Sequence, residues 1–377
     1  MGLYMLSWLG AYEMHRPWSP SWTQVEAELS SILDQLRAWQ SDTQTDRPHG
    51  PNAYKQSVFY QWYWISWNPP VVGADAPNST NHTIPSLDNA WLAASLIVLR
   101  EYSQANGHSA LAQKADAILK DMDMMLFYHP DTYRFSWGAH EDPQGGGAIE
   151  FFSDETRIIN FVARSLGQLS PGEFRQSLAA LVQKSGTYKG ITVAKVASDG
   201  SLFTYLAPAL FIREVDTNYG TTTISPAIHA QIAYAQDKGY PAWGLSDCFG
   251  VGADGYVQQG ALPTANPSTP ETRPGLVTPH ASALALISPL AAEAITNLQT
   301  LKDTFPNSYD STDGFGFYDS IMLKRDDPQH GVASERFSAL AQEWLFLAIA
   351  NAKTRFIHSY FYRNVAVQQA HEEMYPN

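Results

Sequence analysis

Cysteine is nearly absent: Cys248 is the only one in 377 residues. No intrachain disulfide is available, and a cysteine-based zinc site is excluded. Charge is scarce too. Charged residues make up 16% of the chain, against about 25% in an ordinary domain. The balance is acidic, with 24 Lys and Arg against 37 Asp and Glu and a net charge of −13. Without a basic stripe, such a chain is poorly suited to nucleic acid or to an anionic membrane surface. No run of about 18 uncharged apolar residues occurs, so no membrane span is expected. The apolar opening, residues 1–9, lacks a basic flank and a small-residue cleavage motif and does not read as a signal peptide. The compartment stays open: cytoplasmic, or secreted or periplasmic if a leader was removed.

Aromatic side chains are abundant, with 11 Trp, 19 Tyr and 17 Phe, and hydrophobic residues reach 44%. A chain of this kind buries a sizeable core and is not intrinsically disordered. Aromatic rings with little charge around them also suit a cleft for a neutral polyol, because sugar C–H faces stack on rings. Composition alone does not separate that cleft from a large aromatic core.

Helical periodicity dominates. Val25, Leu29, Ile32, Leu33, Leu36 and Trp39 form one stripe, and Leu111, Ala115, Ile118, Met122 and Met125 another. Ser170-Pro171-Gly172-Glu173 is a capping box with proline at the first helical position. Further helices are expected over 87–104, 154–166, 202–214, 224–238, 290–301 and 336–363, with strands only at 190–196 and 133–137. Ten or so helices without a polar linker predict one all-α domain over residues 1–377. Long connectors at 129–147, 243–275 and 306–331, rich in Gly, Pro, Asp and aromatics, are where function is expected.

Several motifs fail on context. Residues 250–255 spell G-x-G-x-x-G but lack the strand and helix that dinucleotide binding needs. Gly145-Gly146-Gly147 has no Lys-Ser/Thr of a phosphate loop, and residues 244–248 put Cys248 where a nucleophile elbow needs its second glycine. No His-x-x-x-His pair falls on a helix; His129 and His140 share a loop and line a cleft or cap a turn more readily than they bind metal. Two glycosylation sequons begin at Asn78 and Asn81.

Carboxylates beside aromatics remain. Ser153-Asp154-Glu155-Thr156-Arg157 opens a helix, and Trp243-Gly244-Leu245-Ser246-Asp247 sits in the longest loop. Acids at a helix start also simply complement its dipole. Glycoside hydrolysis needs two carboxyls flanking the scissile bond, and Glu155 and Asp247 are a candidate pair.

Several segments resemble, in order, the glucoamylase-like family of endo-β-1,2-glucanases and the transglycosylase domain of cyclic β-1,2-glucan synthases. Residues 153–157 are similar to its Ala-Ser-Glu-Ala-Arg, 200–208 to Gly-Ser-Met-Phe-Glu-Tyr-Leu-Met-Pro, and 239–246 to Gly-Tyr-Pro-Trp-Gly-Leu-Ser/Thr. Residues 254–256 and 260–263 resemble its Gly-Tyr and Gly-Ala-Pro-Pro, 275–283 its Gly-Val-Val-Ala-Pro-Tyr-Ala-Ala, and 314–319 its Tyr-Gly-Phe-Tyr-Asp. The resemblance implies an (α/α)6 barrel, a toroid of helical hairpins with a loop-lined cleft. It also implies a glycoside hydrolase acting on a neutral β-glucan, as an endo-β-1,2-glucanase, with no metal or organic cofactor. By the same resemblance Glu155 is the general acid and Asp247 the base or nucleophile. The aspartate that inverting members carry before the last helix is Ala341 here, and Thr204 replaces a glutamate; Glu343 is then the reserve base. Trp137, Trp243 and Tyr256 would stack on sugar rings, and Arg157, Tyr205 and His280 would bind hydroxyls. The alternatives are a β-1,2-glucan transglycosylase and a carbohydrate-binding barrel without catalysis. Oligomeric state is left open.

Overall fold

The computed structural model describes residues 1–43, 52–65, 72–73, 82–261, 264 and 273–376. Both sequon asparagines, Asn78 and Asn81, and Leu262 and Pro263 of the 260–263 motif lie outside the described residues. Helix is the main element, and every sheet among the described residues is a two-stranded pair. No described helix is long and apolar enough to cross a membrane. The chain forms two compact units. The first comprises Met1–Glu150, Thr156–Leu181 and Ser359–Pro376, and the second Phe151–Glu155 and Val182–His358.

The first unit contains α1 (Gly2–Glu13), α2 (Trp22–Gln40), α3 (Ser86–Ala105), α4 (Ser109–Asp121), α5 (Thr156–Ser165), α6 (Pro171–Ala180) and a last helix at Val365–Met374. In α2 the whole expected stripe from Val25 to Trp39 is buried, and Ser21 closes a capping box with Gln24. Ser170 and Glu173 form the capping box expected of α6. Helix α3 packs on α1, α4 and α5. Gly2 of α1 lies so close to α3 that a Cβ there would come within 2.8 Å of Ser95 Oγ. Arg164 of α5 grips Glu373 of the last helix with two hydrogen bonds, of 2.9 and 2.7 Å. Helix α1 was not legible as a helix, although Leu3, Met5, Leu6 and Leu9 are all core residues.

The second unit contains α7 (Leu202–Leu206), α8 (Ser225–Lys238), α9 (Pro279–Leu284), α10 (Ala291–Thr304) and α11 (Ala339–Thr354). Three expected helices differ, each for a local reason. The 202–214 helix stops at Leu206 and resumes as 3-10 turns from Pro208, because proline offers no N–H and crowds the preceding turn. The 336–363 helix breaks at Arg355, which adopts a left-handed φ of 57°. A shorter helix, Phe356–Phe361, follows. The 154–166 helix starts at Thr156, so Glu155 precedes it instead of occupying its first turn. Helix α9 packs against α7, α10 and α11. Beside them the hairpin Cys248–Phe249/Tyr256–Val257 and the pair Leu276–Val277/Ile321–Met322 share a small core of Cys248, Val251, Leu276 and Met322, with Val257 against it.

Candidate active site

The loop that carries Asp247 is fixed residue by residue before it reaches the carboxylate. Asn297 of α10 accepts from the Trp243 N–H at 2.9 Å and donates to its carbonyl at 2.8 Å. Gly244 has a φ of 120°, and a Cβ there would lie 3.0 Å from the Thr278 carbonyl, so the close approach needs glycine. Gln231 of α8 accepts from Leu245 N at 2.8 Å and donates to the Gly200 and Leu245 carbonyls. Ser246 Oγ meets Ser201 Oγ at 2.8 Å.

Asp247 then emerges half-buried. Its Oδ1 accepts from Gln259 N at 2.9 Å. Burial, and then the negative charge of Asp199, push its carboxyl up to about 6, against the opposing pull of the Gln259 bond. Asp199 accepts from Ser201 N at 2.9 Å and from Thr204 Oγ1 at 3.1 Å. Burial raises its carboxyl as well, and these hydrogen bonds oppose the shift. The Thr204 hydroxyl, where the resemblance anticipates a glutamate, therefore contacts a carboxylate supplied from five residues earlier.

Asp319 is a third acid, only 2% exposed. Its Oδ2 accepts from Phe249 N at 2.6 Å, and burial pushes it up to about 6. Ser320 Oγ donates to the Phe249 carbonyl at 2.5 Å, so the strand is held on both sides. Asp319 Oδ1 lies 4.0 Å from His280 Nδ1, and neither atom has a hydrogen-bond partner. Burial lowers His280 to about 4, so the imidazole is neutral near pH 7 and makes no ion pair.

These acids converge on Tyr256. Its ring is 60% exposed and sits edge-on to Phe249, with centroids 5.4 Å apart. Its hydroxyl is shifted upward first by burial, and then by the neighbouring acids Asp247, Asp319 and Glu155. Glu155 is half-buried on a clamped turn. Ser153 Oγ donates to the Lys195 carbonyl at 2.6 Å and accepts from the Tyr219 hydroxyl at 3.0 Å. Asp154 accepts from Ser198 N at 2.8 Å. Carboxyls titrating near 6 can hold or release a proton around neutral pH, which is what acid–base chemistry asks of them.

Glu155 and Asp247 thus both act electrostatically on Tyr256, and the other expected residues fall elsewhere. Tyr205 is fully buried, with its hydroxyl accepting from Ala197 N and donating to the Thr264 carbonyl. It braces the core and does not present a hydroxyl-binding group to solvent. Trp243 is 7% exposed and His280 6%, so the first is a core ring and not a sugar platform, and the second reaches Asp319 and not the surface. Arg157 is fully buried on α5 of the first unit. Trp137, also in the first unit, keeps 42% of its surface exposed. Glu343 is half-buried on α11 with its carboxyl raised by burial. Asp199 and Asp319 were missed. The signal for each was an aspartate flanking a recognisable stretch, directly before 200–208 and closing 314–319.

Solved structures share this mostly helical fold over nearly the whole chain. A candidate glucoamylase from Bacteroides caccae matches with a TM-score of 0.76 at 17% identity, covering 99% of this chain and 87% of that one. An endo-β-1,2-glucanase from Chitinophaga pinensis, in complex with sophorotriose and glucose, gives 0.75 at 16% identity, with 99% and 86% covered. An endo-β-1,2-glucanase from Talaromyces funiculosus, in complex with sophorose, gives 0.71 at 12% identity, with 99% and 79% covered. No protein-family model and no curated protein matches the sequence. At these identities the likeness is one of fold.

Proposed function

We propose that the chain is a glycoside hydrolase that cuts a neutral β-glucan internally, as an endo-β-1,2-glucanase. The observation that carries this reading is that Asp247, Asp319 and Glu155 all act electrostatically on the Tyr256 hydroxyl, with the first two carboxyls pushed by burial up to about 6. The likeness in fold to endo-β-1,2-glucanases supports the substrate class. The same reading takes residues 1–377 as a single (α/α)6-barrel domain.

In this mechanism Glu155 is the general acid and protonates the leaving glycosidic oxygen. Asp247 is the second carboxyl, either taking the proton from an attacking water or attacking the anomeric carbon itself. Burial, and then Asp199, keep Asp247 basic enough for the task. The exposed Tyr256 ring stacks on a sugar face beside them, and Trp137 is a further stacking candidate. Glu343 gives way to Asp247 as the second acid.

Glu155→Gln and Asp247→Asn test the assignment. Each should reduce turnover of β-1,2-glucan by about a hundredfold or more, while Glu155→Gln retains affinity for the polymer. Near-normal turnover in both folded variants refutes the mechanism.

A further inference from the structure

Phe315, Tyr318 and Phe337 form an exposed aromatic patch in the second unit, outside the residues given roles above. Phe315 is 61% exposed and Phe337 38%. The Phe315 and Phe337 rings are 5.3 Å apart and tilted by 46°, and Tyr318 stacks on Phe337 at 4.5 Å and 24°. The patch is tied to the carboxylate cluster through two pairs of neighbouring residues. Tyr318 precedes Asp319, whose N–H donates to the Arg336 carbonyl at 3.0 Å, and Arg336 precedes Phe337. The Arg336 guanidinium lies over the Phe249 ring at 5.7 Å and donates to the Asp254 carbonyl at 2.6 Å.

The patch is held in place before any ligand arrives. Phe315 stands at the tip of the hairpin Tyr309–Asp310/Gly316–Phe317. The Asp310 carboxylate accepts from the N–H groups of Thr312 at 2.9 Å, Asp313 at 3.2 Å and Phe315 at 3.3 Å. A hollow of about 290 Å³ opens beside Tyr318, lined among others by Asn307, Asp310, Thr312 and Glu335. Tyr318 lines this hollow and carries the Phe337 ring stacked on it; a ring beside hydroxyl, amide and carboxylate groups matches a pyranose, which offers apolar C–H faces and a rim of hydroxyls. Three rings are far too few for a stable protein interface, which needs about 800 Å² per partner. The net charge of −13 argues against an anionic lipid surface.

We infer that Phe315, Tyr318 and Phe337 form a second sugar-stacking platform, which holds a glucose unit of the glucan chain away from the carboxylates. This inference rests on the glycan reading above. The platform adds affinity for long chains and sets a preference for polymer over short oligosaccharides.

Two measurements test it separately from catalysis. In native gels cast with β-1,2-, β-1,3-, β-1,4- or α-1,4-glucan, the intact protein should be retarded by one polymer. Phe315→Ala/Phe337→Ala, checked for folding by circular dichroism, should bind that polymer at least about tenfold more weakly, and Phe337→Trp used in place of Phe337→Ala should recover most of the loss. In kinetics, the ratio of kcat/KM on polymer to that on the shortest cleaved oligosaccharide should fall by a similar factor in the double variant. Equal retardation of wild type and double variant overturns the platform, as does no retardation of wild type in any polymer. Failure of wild type to cleave while still binding through these rings would count against the hydrolase reading and leave the platform standing.

Discussion

Asp319→Asn should stabilise the protein, and by an amount that depends on pH. Asp319 is 2% exposed, accepts one hydrogen bond, from Phe249 N, and faces a neutral His280. Its carboxyl is moved from 3.8 to about 6 by burial. At 1.36 kcal/mol per pH unit, an ionised Asp319 costs about 3 kcal/mol relative to the unfolded chain. The sign follows from the raised value. The native state holds the proton more tightly than the unfolded chain, so this contribution is complete below about 3.8 and is lost as pH rises through about 6. Asparagine cannot ionise, and its carbonyl oxygen can still accept from Phe249 N. The variant should therefore melt roughly 5 °C higher than wild type at pH 8, with the gap closing toward pH 4. Calorimetric melts of both proteins between pH 4.5 and 8 measure it. A gap independent of pH, or a variant less stable than wild type at pH 8, would refute the reasoning. A gain would mark a carboxylate kept for the field it casts on Tyr256 and Cys248 and not for stability.

Asp247 must be ionised to serve as base or nucleophile, so kcat/KM on glucan should rise with pH through about 6. A pH–rate profile without that limb contradicts its role. Gly260→Ala would place a Cβ 1.7 Å from the Asp199 carbonyl oxygen, a backbone clash worth about 3 kcal/mol or more; an unfolding free energy from urea melts within about 1 kcal/mol of wild type would refute it. Glu373→Gln breaks the two-bond grip on Arg164, whose side chain is 12% exposed. It should cost about 1–3 kcal/mol, read from denaturant unfolding with Glu373→Asp alongside to separate charge from reach.

Local rules were enough for most of the helices. The α2 stripe and the Ser170 capping box are readable because their partners lie three or four residues apart. The breaks at Pro208 and Arg355 were harder, since periodicity runs through both, and only backbone geometry shows where a helix stops. Helix α1 escaped notice because its apolar residues do not fall on one face. Asp247 and Tyr256 were legible as an acid and an aromatic in the longest loop. Asp319 was not, because its burial and its bond to Phe249 N, 70 residues away in sequence, arise only in the folded chain. Nor could the sequence separate a tyrosine that stands exposed from one that braces a core. Tyr205 and Tyr256 have the same chemistry, and one is fully buried while the other is 60% exposed.

Incubation of the protein with linear β-1,2-glucan beside β-1,3-, β-1,4- and α-1,4-glucans, followed by product analysis, tests the central claim most directly. The account predicts short oligosaccharides from the β-1,2 polymer alone, with chain length falling early as internal bonds are cut. Folded protein that leaves the β-1,2 polymer intact would contradict it.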